Sequence, residues 1–358
     1  MNNLIDETIA KIQPLDANAM DAARARQDQL TKPHGALGRL ETLSIQLAGI
    51  TAQARPRFTQ PAIITMAGDH GIARQGVSAY PAEVTPQMVF NFLSGGAAIN
   101  VLARHVGARV VIVDMGVASE LPAHPDLVNA KIALGTRDFS REPAMTHDEA
   151  IRAVEAGIEI ATREITPSTH AQDGADILGT GDMGIGNTTP SAAITATITR
   201  RTVKEVTGRG TGVDDAGLAR KIAMIERALD LHKPDANDAL DILCKVGGFE
   251  IAGLAGVMIG AAARRVPVVI DGFISGAAAL IACGLAPTVQ PYLIAAHRSV
   301  EIGHRAILEH LRVEPLLDLD LRLGEGTGAA LGISLCLAAA KILDEMATFA
   351  DAGVSEKS

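Results

Sequence analysis

The run Ala62-Ile63-Ile64-Thr65-Met66-Ala67 is apolar but for one threonine, and it empties at once into Gly68-Asp69-His70-Gly71. A short apolar run that stops at a polar glycine turn reads as a strand buried on both faces, and such strands belong to parallel sheets. The pattern recurs along the chain. Val110-Val111-Ile112-Val113 stops at Asp114-Met115-Gly116, Ala175-Asp176-Ile177-Leu178 at Gly179-Thr180-Gly181-Asp182, and Pro267-Val268-Val269-Ile270 at Asp271-Gly272. Helical stretches lie between, such as residues 97–105 and 149–163. Strands alternating with helices predict an α/β fold whose parallel sheet binds ligands at the carboxyl ends of its strands. Several of the Asp/Gly turns are therefore expected to face one crevice.

Outward from this core, residues 1–48 read as mostly helical. Residues 17–30 form one stretch, Thr31-Lys32-Pro33-His34-Gly35 breaks it, and residues 37–48 form a second. Residues 56–61 read as a linker. Toward the other end, Leu317-Asp318-Leu319-Asp320-Leu321-Arg322-Leu323 alternates with the period of a strand, and residues 329–340 are helical in composition. Between them lies Gly324-Glu325-Gly326-Thr327-Gly328, a lone carboxylate on a glycine turn. Glycines tolerate positive φ and let a ligand approach the backbone. A carboxylate held there, uncovered by its neighbours, suits a general base. An acid at a helix start that complements the helix dipole is the plainer alternative.

Bulk composition narrows the function classes. A chain of 358 residues has room for a large domain and a smaller one, and 47% hydrophobic with 20% charged residues is globular. A net charge of -9 without any basic run argues against nucleic acid or an anionic membrane as partner. The N-terminus is polar and carries acids, unlike a secretory signal. The most apolar region, residues 251–287, is interrupted by Arg264, Arg265 and Asp271 and predicts no membrane span. Cys244, Cys283 and Cys336 are scattered and read as core thiols of a reducing cytoplasm. His70, His297 and His304 fit no ligand spacing, so no metal is expected. Only the tail, residues 352–358, reads as disordered.

Three further motifs carry chemistry. Gly179-Thr180-Gly181-Asp182-Met183-Gly184 matches G-x-G-x-x-G after a candidate strand, with Glu205 downstream, as a dinucleotide fingerprint would have it. Against it stand its late position, Pro190 in what should be the following helix, and an acid, Asp182, in a loop meant for pyrophosphate. Gly208-Arg209-Gly210-Thr211-Gly212 exposes backbone N–H groups suited to a phosphate, with Lys221 on the next helix, residues 216–229. A flexible loop and a surface lysine account for it equally well. Residues 75–87 bring Ser78, Tyr80 and Gln87 into a polar loop that could wall a flat heterocycle, with Thr85 as a helix cap.

In sequence order, the motifs Leu30-Thr31-Lys32-Pro33, Gly38-Arg39-Leu40-Glu41, Asp69-His70-Gly71, residues 181–189, residues 208–212, Asp271-Gly272-Phe273-Ile274-Ser275 and Arg322-Leu323-Gly324-Glu325-Gly326-Thr327-Gly328 cover most of the chain. The set resembles the nicotinate-nucleotide–dimethylbenzimidazole phosphoribosyltransferase family of cobalamin nucleotide-loop assembly. The resemblance implies a Rossmann-like parallel sheet flanked by helices in a large domain, residues 56–311. It implies a small helical domain from both termini, residues 1–55 and 312–358. It also implies a homodimer, and a reaction that moves phosphoribosyl from nicotinate mononucleotide to 5,6-dimethylbenzimidazole without any cofactor. Carried over, Glu325 is the catalytic base, and Asp182, at a position often Glu, orients substrate or stabilises charge. Gly184, Gly186, Gly210, Thr211, Gly212 and Lys221 bind the nucleotide, with Asn187 also at the substrate. Ser78, Tyr80, Gln87, Met183 and Leu323 line the azole pocket. An NAD-type oxidoreductase resting on residues 179–184 and a non-catalytic nucleotide-binding sensor of the same fold are the competing readings.

Overall fold

Among the described residues, six strands build one parallel sheet. They are β1 (Pro61–Gly68), β2 (Arg109–Gly116), β3 (Leu127–Asn129), β4 (Ile177–Met183), β5 (Val268–Ile270) and β6 (Leu293–Ala295). The computed structural model describes residues 4–167 and 174–355, and its strand order is β3-β2-β1-β4-β5-β6. This is the Rossmann order, and the topology reverses between β1 and β4. Every residue of β1 is buried, as its near-continuous apolar run requires.

Alternate side chains of the strands feed two cores, because successive residues point to opposite faces. Ile64, Met66, Val111 and Val113 join the core on one face, and Ile63, Ala67, Ile112 and Ile177 that on the other. The first face is covered by the helices His147–Ile165, Phe249–Ala262 and Phe273–Leu285. His147–Ile165 starts at a capping box in which Thr146 Oγ1 accepts from Glu149 N at 3.1 Å and Glu149 Oε2 accepts from Thr146 N at 2.7 Å. This helix lies so close to Phe249–Ala262 that a Cβ on Gly157 would come within 1.9 Å of the Gly253 carbonyl oxygen. The second face is covered by Arg39–Thr51, Ala98–Val106 and Thr327–Glu345. Thr327–Glu345 is long and apolar enough to span a membrane by composition alone; here it packs along β4, β5, β1 and β6.

Four expectations change. The alternating stretch 317–323 forms only an isolated bridge, Leu317 with His297, and Asp320 at φ +53° breaks any strand after it. Gly179, Thr180, Gly181 and Asp182 are not a turn: β4 runs through them to Met183. Pro190 does not stop the next helix, because it lies in the first turn of Thr188–Thr199, where proline removes no intrahelical bond. Thr85 is not a cap, since Glu83 holds that position. Of the tail, residues 356–358 lie outside the described residues and Phe349–Ala352 is a helical turn.

Candidate active site

Glu325 stands where the sheet reverses, on a turn in which Gly324, Glu325 and Gly326 have φ of +82°, +63° and +99°. A glutamate in this region costs on the order of 1–3 kcal/mol and persists only when its surroundings fix it. Here they do. Thr65 Oγ1 in β1 donates to the Glu325 carbonyl at 2.9 Å. Glu325 N donates to the Asp182 carbonyl at 3.2 Å. Gly181 makes room for the turn, for a Cβ there would lie 2.1 Å from the Glu325 carbonyl oxygen. The side chain is buried rather than uncovered: Glu325 is 5% exposed. Its Oε2 accepts from Ile99 N at 3.1 Å, in the first turn of Ala98–Val106. Oε1 takes no hydrogen bond from the described residues.

Two more carboxylates crowd the same spot. Asp182 ends β4, with Oδ2 accepting from Asn187 Nδ2 at 2.9 Å and Oδ1 buried without a partner. Asp271 follows β5, fully buried, with Oδ2 on Gly326 N at 3.2 Å and Oδ1 on Ala329 N at 3.0 Å. No lysine or arginine among the described residues pairs with any of the three, and the nearby His297, at 3.7 Å from Asp271, is held neutral by burial. Burial therefore raises all three acids. Asp182, pushed further by the charges of Asp271 and Glu250, lies well above its ordinary value, and Asp271 rises to about 7 although backbone N–H groups oppose the shift. This end of the site favours positive charge.

A cleft of about 450 Å³ runs from these acids to the opposite charge. At its far end Thr188 opens a helix and Gly210 caps a loop, and Lys221 lies beneath both. The Lys221 ammonium donates to Thr188 Oγ1 and, at 3.4 Å, to the Gly208 carbonyl. Burial lowers its pKa to about 8, with Glu301 opposing the shift. The lysine of the sequence reading is thus no surface residue; it is 1% exposed. Asp182, Glu301, Glu325 and Arg322 line the cleft, Val84, Met88 and Phe273 form an apolar wall, and the buried Lys221 ammonium stands behind Thr188 and Gly210.

The Glu325 turn lies at the carboxyl ends of β1, β4 and β5, and comparison with known proteins identifies the family. A family model described as Phosphoribosyltransferase matches residues 12–354. The nicotinate-nucleotide–dimethylbenzimidazole phosphoribosyltransferase of Roseiflexus sp. (strain RS-1) is 70% identical over 355 residues, covering 99% of each chain. The chain belongs to this family. The Chloroflexus aurantiacus (strain ATCC 29366 / DSM 635 / J-10-fl) member is 66% identical over 99% of each chain. A crystal structure of the Thermus thermophilus nicotinate-nucleotide–dimethylbenzimidazole phosphoribosyltransferase superposes with a TM-score of 0.89 at 45% identity, covering 96% of this chain and 100% of that one.

Of the residues expected from the phosphoribosyltransferase family pattern, Tyr80, Asp182, Met183, Gly184, Asn187, Gly210, Thr211, Leu323 and Glu325 line the cleft. Ser78 stands at its rim, its hydroxyl 3.1 Å from that of Thr211. Gly186 lies behind the lining against Ala73, Gly212 is exposed at the loop tip, and Gln87 points to solvent while Val84 and Met88 face inward. The G-x-G-x-x-G match is not a pyrophosphate loop. Gly179 and Gly181 sit on one face of β4, where the first meets Ala329 and Ile333 and the second the Glu325 turn. Of the four strand-end aspartates, Asp182 and Asp271 reach the Glu325 turn. Asp69 accepts from Ala118 N at 2.8 Å and from the Thr85 hydroxyl, and Asp114 pairs with Lys131 at 3.0 Å. His70 is buried against Glu250, Nε2 to Oε1 at 2.8 Å, beneath Gly184. Asp271, His297 and Glu301 were not anticipated as site residues. The strand-end Asp271-Gly272 turn was a signal for the first. The other two follow β6, which at three residues carries no period to read.

Proposed function

We propose that the chain transfers the 5-phosphoribosyl group of nicotinate mononucleotide to 5,6-dimethylbenzimidazole, giving α-ribazole 5′-phosphate and nicotinate, as the names of its relatives indicate. The observation that carries this reading is the polarity of the cleft. A buried ammonium at one end suits the nucleotide phosphate. Three carboxylates without a cation at the other suit the pyridinium ring and the oxocarbenium character that develops at C1′.

In this reading an azole ring nitrogen attacks C1′ from the face opposite nicotinate, forming the new C–N bond with inversion. The C1′–pyridinium bond breaks and its electron pair returns to the pyridine nitrogen, so the leaving ring departs neutral and needs no acid. The azole N–H proton passes to Glu325 Oε1, while Ile99 N–H holds Oε2. Asp182 supplies negative potential to C1′. Gly184, Gly210, Thr211, Lys221 and Asn187 hold the nucleotide, and Ser78, Tyr80, Met183 and Leu323 hold the azole. Gln87, Gly186 and Gly212 support the loops at the rim. The enzyme works as a homodimer in the cytoplasm, where Cys244, Cys283 and Cys336 stay free thiols. The test is direct: pure protein is incubated with nicotinate mononucleotide and dimethylbenzimidazole, and nicotinate release is followed. No release at any azole concentration would overturn the reading.

A further inference from the structure

We propose that Asp271 is the positioning residue of the reaction: it holds Glu325 in its left-handed turn by capping the helix that follows. This rests on the reading of Glu325 as the base. The helix Thr327–Glu345 has Gly326 at its N-cap position and so has no side chain of its own to accept its first N–H groups. Asp271 supplies both acceptors from another element, Oδ2 to Gly326 N and Oδ1 to Ala329 N. The carboxylate is located in turn by β4, whose Thr180 Oγ1 accepts from Asp271 N at 3.4 Å.

The fit leaves no slack. A Cβ on Gly328 would lie 2.7 Å from Asp271 Oδ1 and 2.0 Å from His297 Cδ2, so the helix start rests directly on Asp271. Glu325 is the residue immediately before this cap, with positive φ on itself and on both neighbours. That backbone has no local reason to stay in place. Without the Asp271 clamp the turn keeps only the Thr65 hydroxyl and Asp182 carbonyl contacts, and the Glu325 carboxylate loses its fixed position. The titratable groups facing Asp271 are Glu325, Asp182 and His297.

The experiment is a double-mutant cycle on the full enzyme with nicotinate mononucleotide and dimethylbenzimidazole. Asp271→Asn keeps the shape but turns an amide NH₂ toward one of the two backbone N–H groups. Its kcat should fall about ten- to hundredfold, with the KM for nicotinate mononucleotide changed less than about threefold. In a Glu325→Gln background the same substitution should cost less than about twofold, since the residue it positions no longer accepts a proton. An equal loss in both backgrounds overturns the proposal, as does a single variant with unchanged kcat. A Glu325→Gln enzyme with normal turnover would instead remove the base itself. If the Asn protein does not fold, Asp271→Ser carries the same cycle.

Discussion

Glu325 takes one helix N–H on Oε2 and offers Oε1 to the cleft, and burial raises its pKa above the ordinary 4.5. A base must be ionised to accept a proton, so kcat/KM should fall as pH drops through a value above 4.5. Glu325→Gln keeps the size and the Ile99 contact and removes the proton acceptor. Its kcat should fall about 10²–10⁴-fold, its affinity for nicotinate mononucleotide should hold, and the acidic limb should vanish from the residual rate. Near-normal turnover would return Glu325 to the role of an acid at a helix start. At the other end, Lys221 is fully buried, so Lys221→Met tests its charge while keeping its volume. The KM for nicotinate mononucleotide should rise about ten- to hundredfold and that for the azole little. Because the ammonium titrates at about 8, the wild-type kcat/KM for the nucleotide should decline above that pH, and the Met variant should lack this limb. Both residues were legible in the sequence from their glycine-rich surroundings. Their burial was not, because it comes from segments far away in the chain, Ile99 covering one and Thr188 the other.

At the scale of the element, β4 and the helix Thr327–Glu345 form one unit through two glycines. A Cβ on Gly179 would meet Ile63 at 3.0 Å and Ala329 and Ile333 at 3.2 Å, contacts that a shift of a few tenths of an ångström would relieve. A Cβ on Gly181 would meet the Glu325 carbonyl at 2.1 Å, which cannot move without moving the turn. Gly181→Ala should therefore cost about 1–3 kcal/mol in chemical denaturation and lose most of its turnover, whereas Gly179→Ala should keep most of its activity. Equal activity in the two variants would dismiss the seating role of Gly181. β1, β2 and β5 were readable because each apolar run stops at an Asp/Gly turn. β3 and β6, three residues each, were not, since no such turn follows them and so short a run shows no period. The alternation of 317–323 misled for the opposite reason: its leucines and charges keep a strand's period, but no neighbouring strand pairs along it.

Across the whole molecule the two proposed substrate subsites are tied together over the cleft. Thr211, on the loop near Lys221, has its hydroxyl 3.1 Å from that of Ser78 and accepts from Ala79 N at 2.9 Å. A nucleotide that orders the first loop should order the second, so each substrate should bind more tightly in the presence of the other. Initial-rate analysis over both concentrations yields that coupling factor. It should exceed unity in the wild type by about two- to tenfold and fall to about one in Thr211→Val. A wild-type factor of one would rule the linkage out. By itself, the sequence determined the alternation of strands and helices, the glycine turns that carry Glu325 and Gly210, and, through the motifs in their order, the family. These are local properties, set by periodicity and by residues that only certain backbones accept. Only the tertiary structure decided that Asp182, Asp271 and Glu325 share one buried corner with no paired lysine or arginine among the described residues, that Gly179 and Gly181 serve packing rather than pyrophosphate, and that Lys221 lies beneath the cleft rather than on the surface. Those facts depend on strand order and on the approach of segments more than a hundred residues apart, as with Thr65 and Glu325, separated by 260 residues. No local pattern encodes such a distance, because the energy that fixes it is the burial of two sheet faces at once.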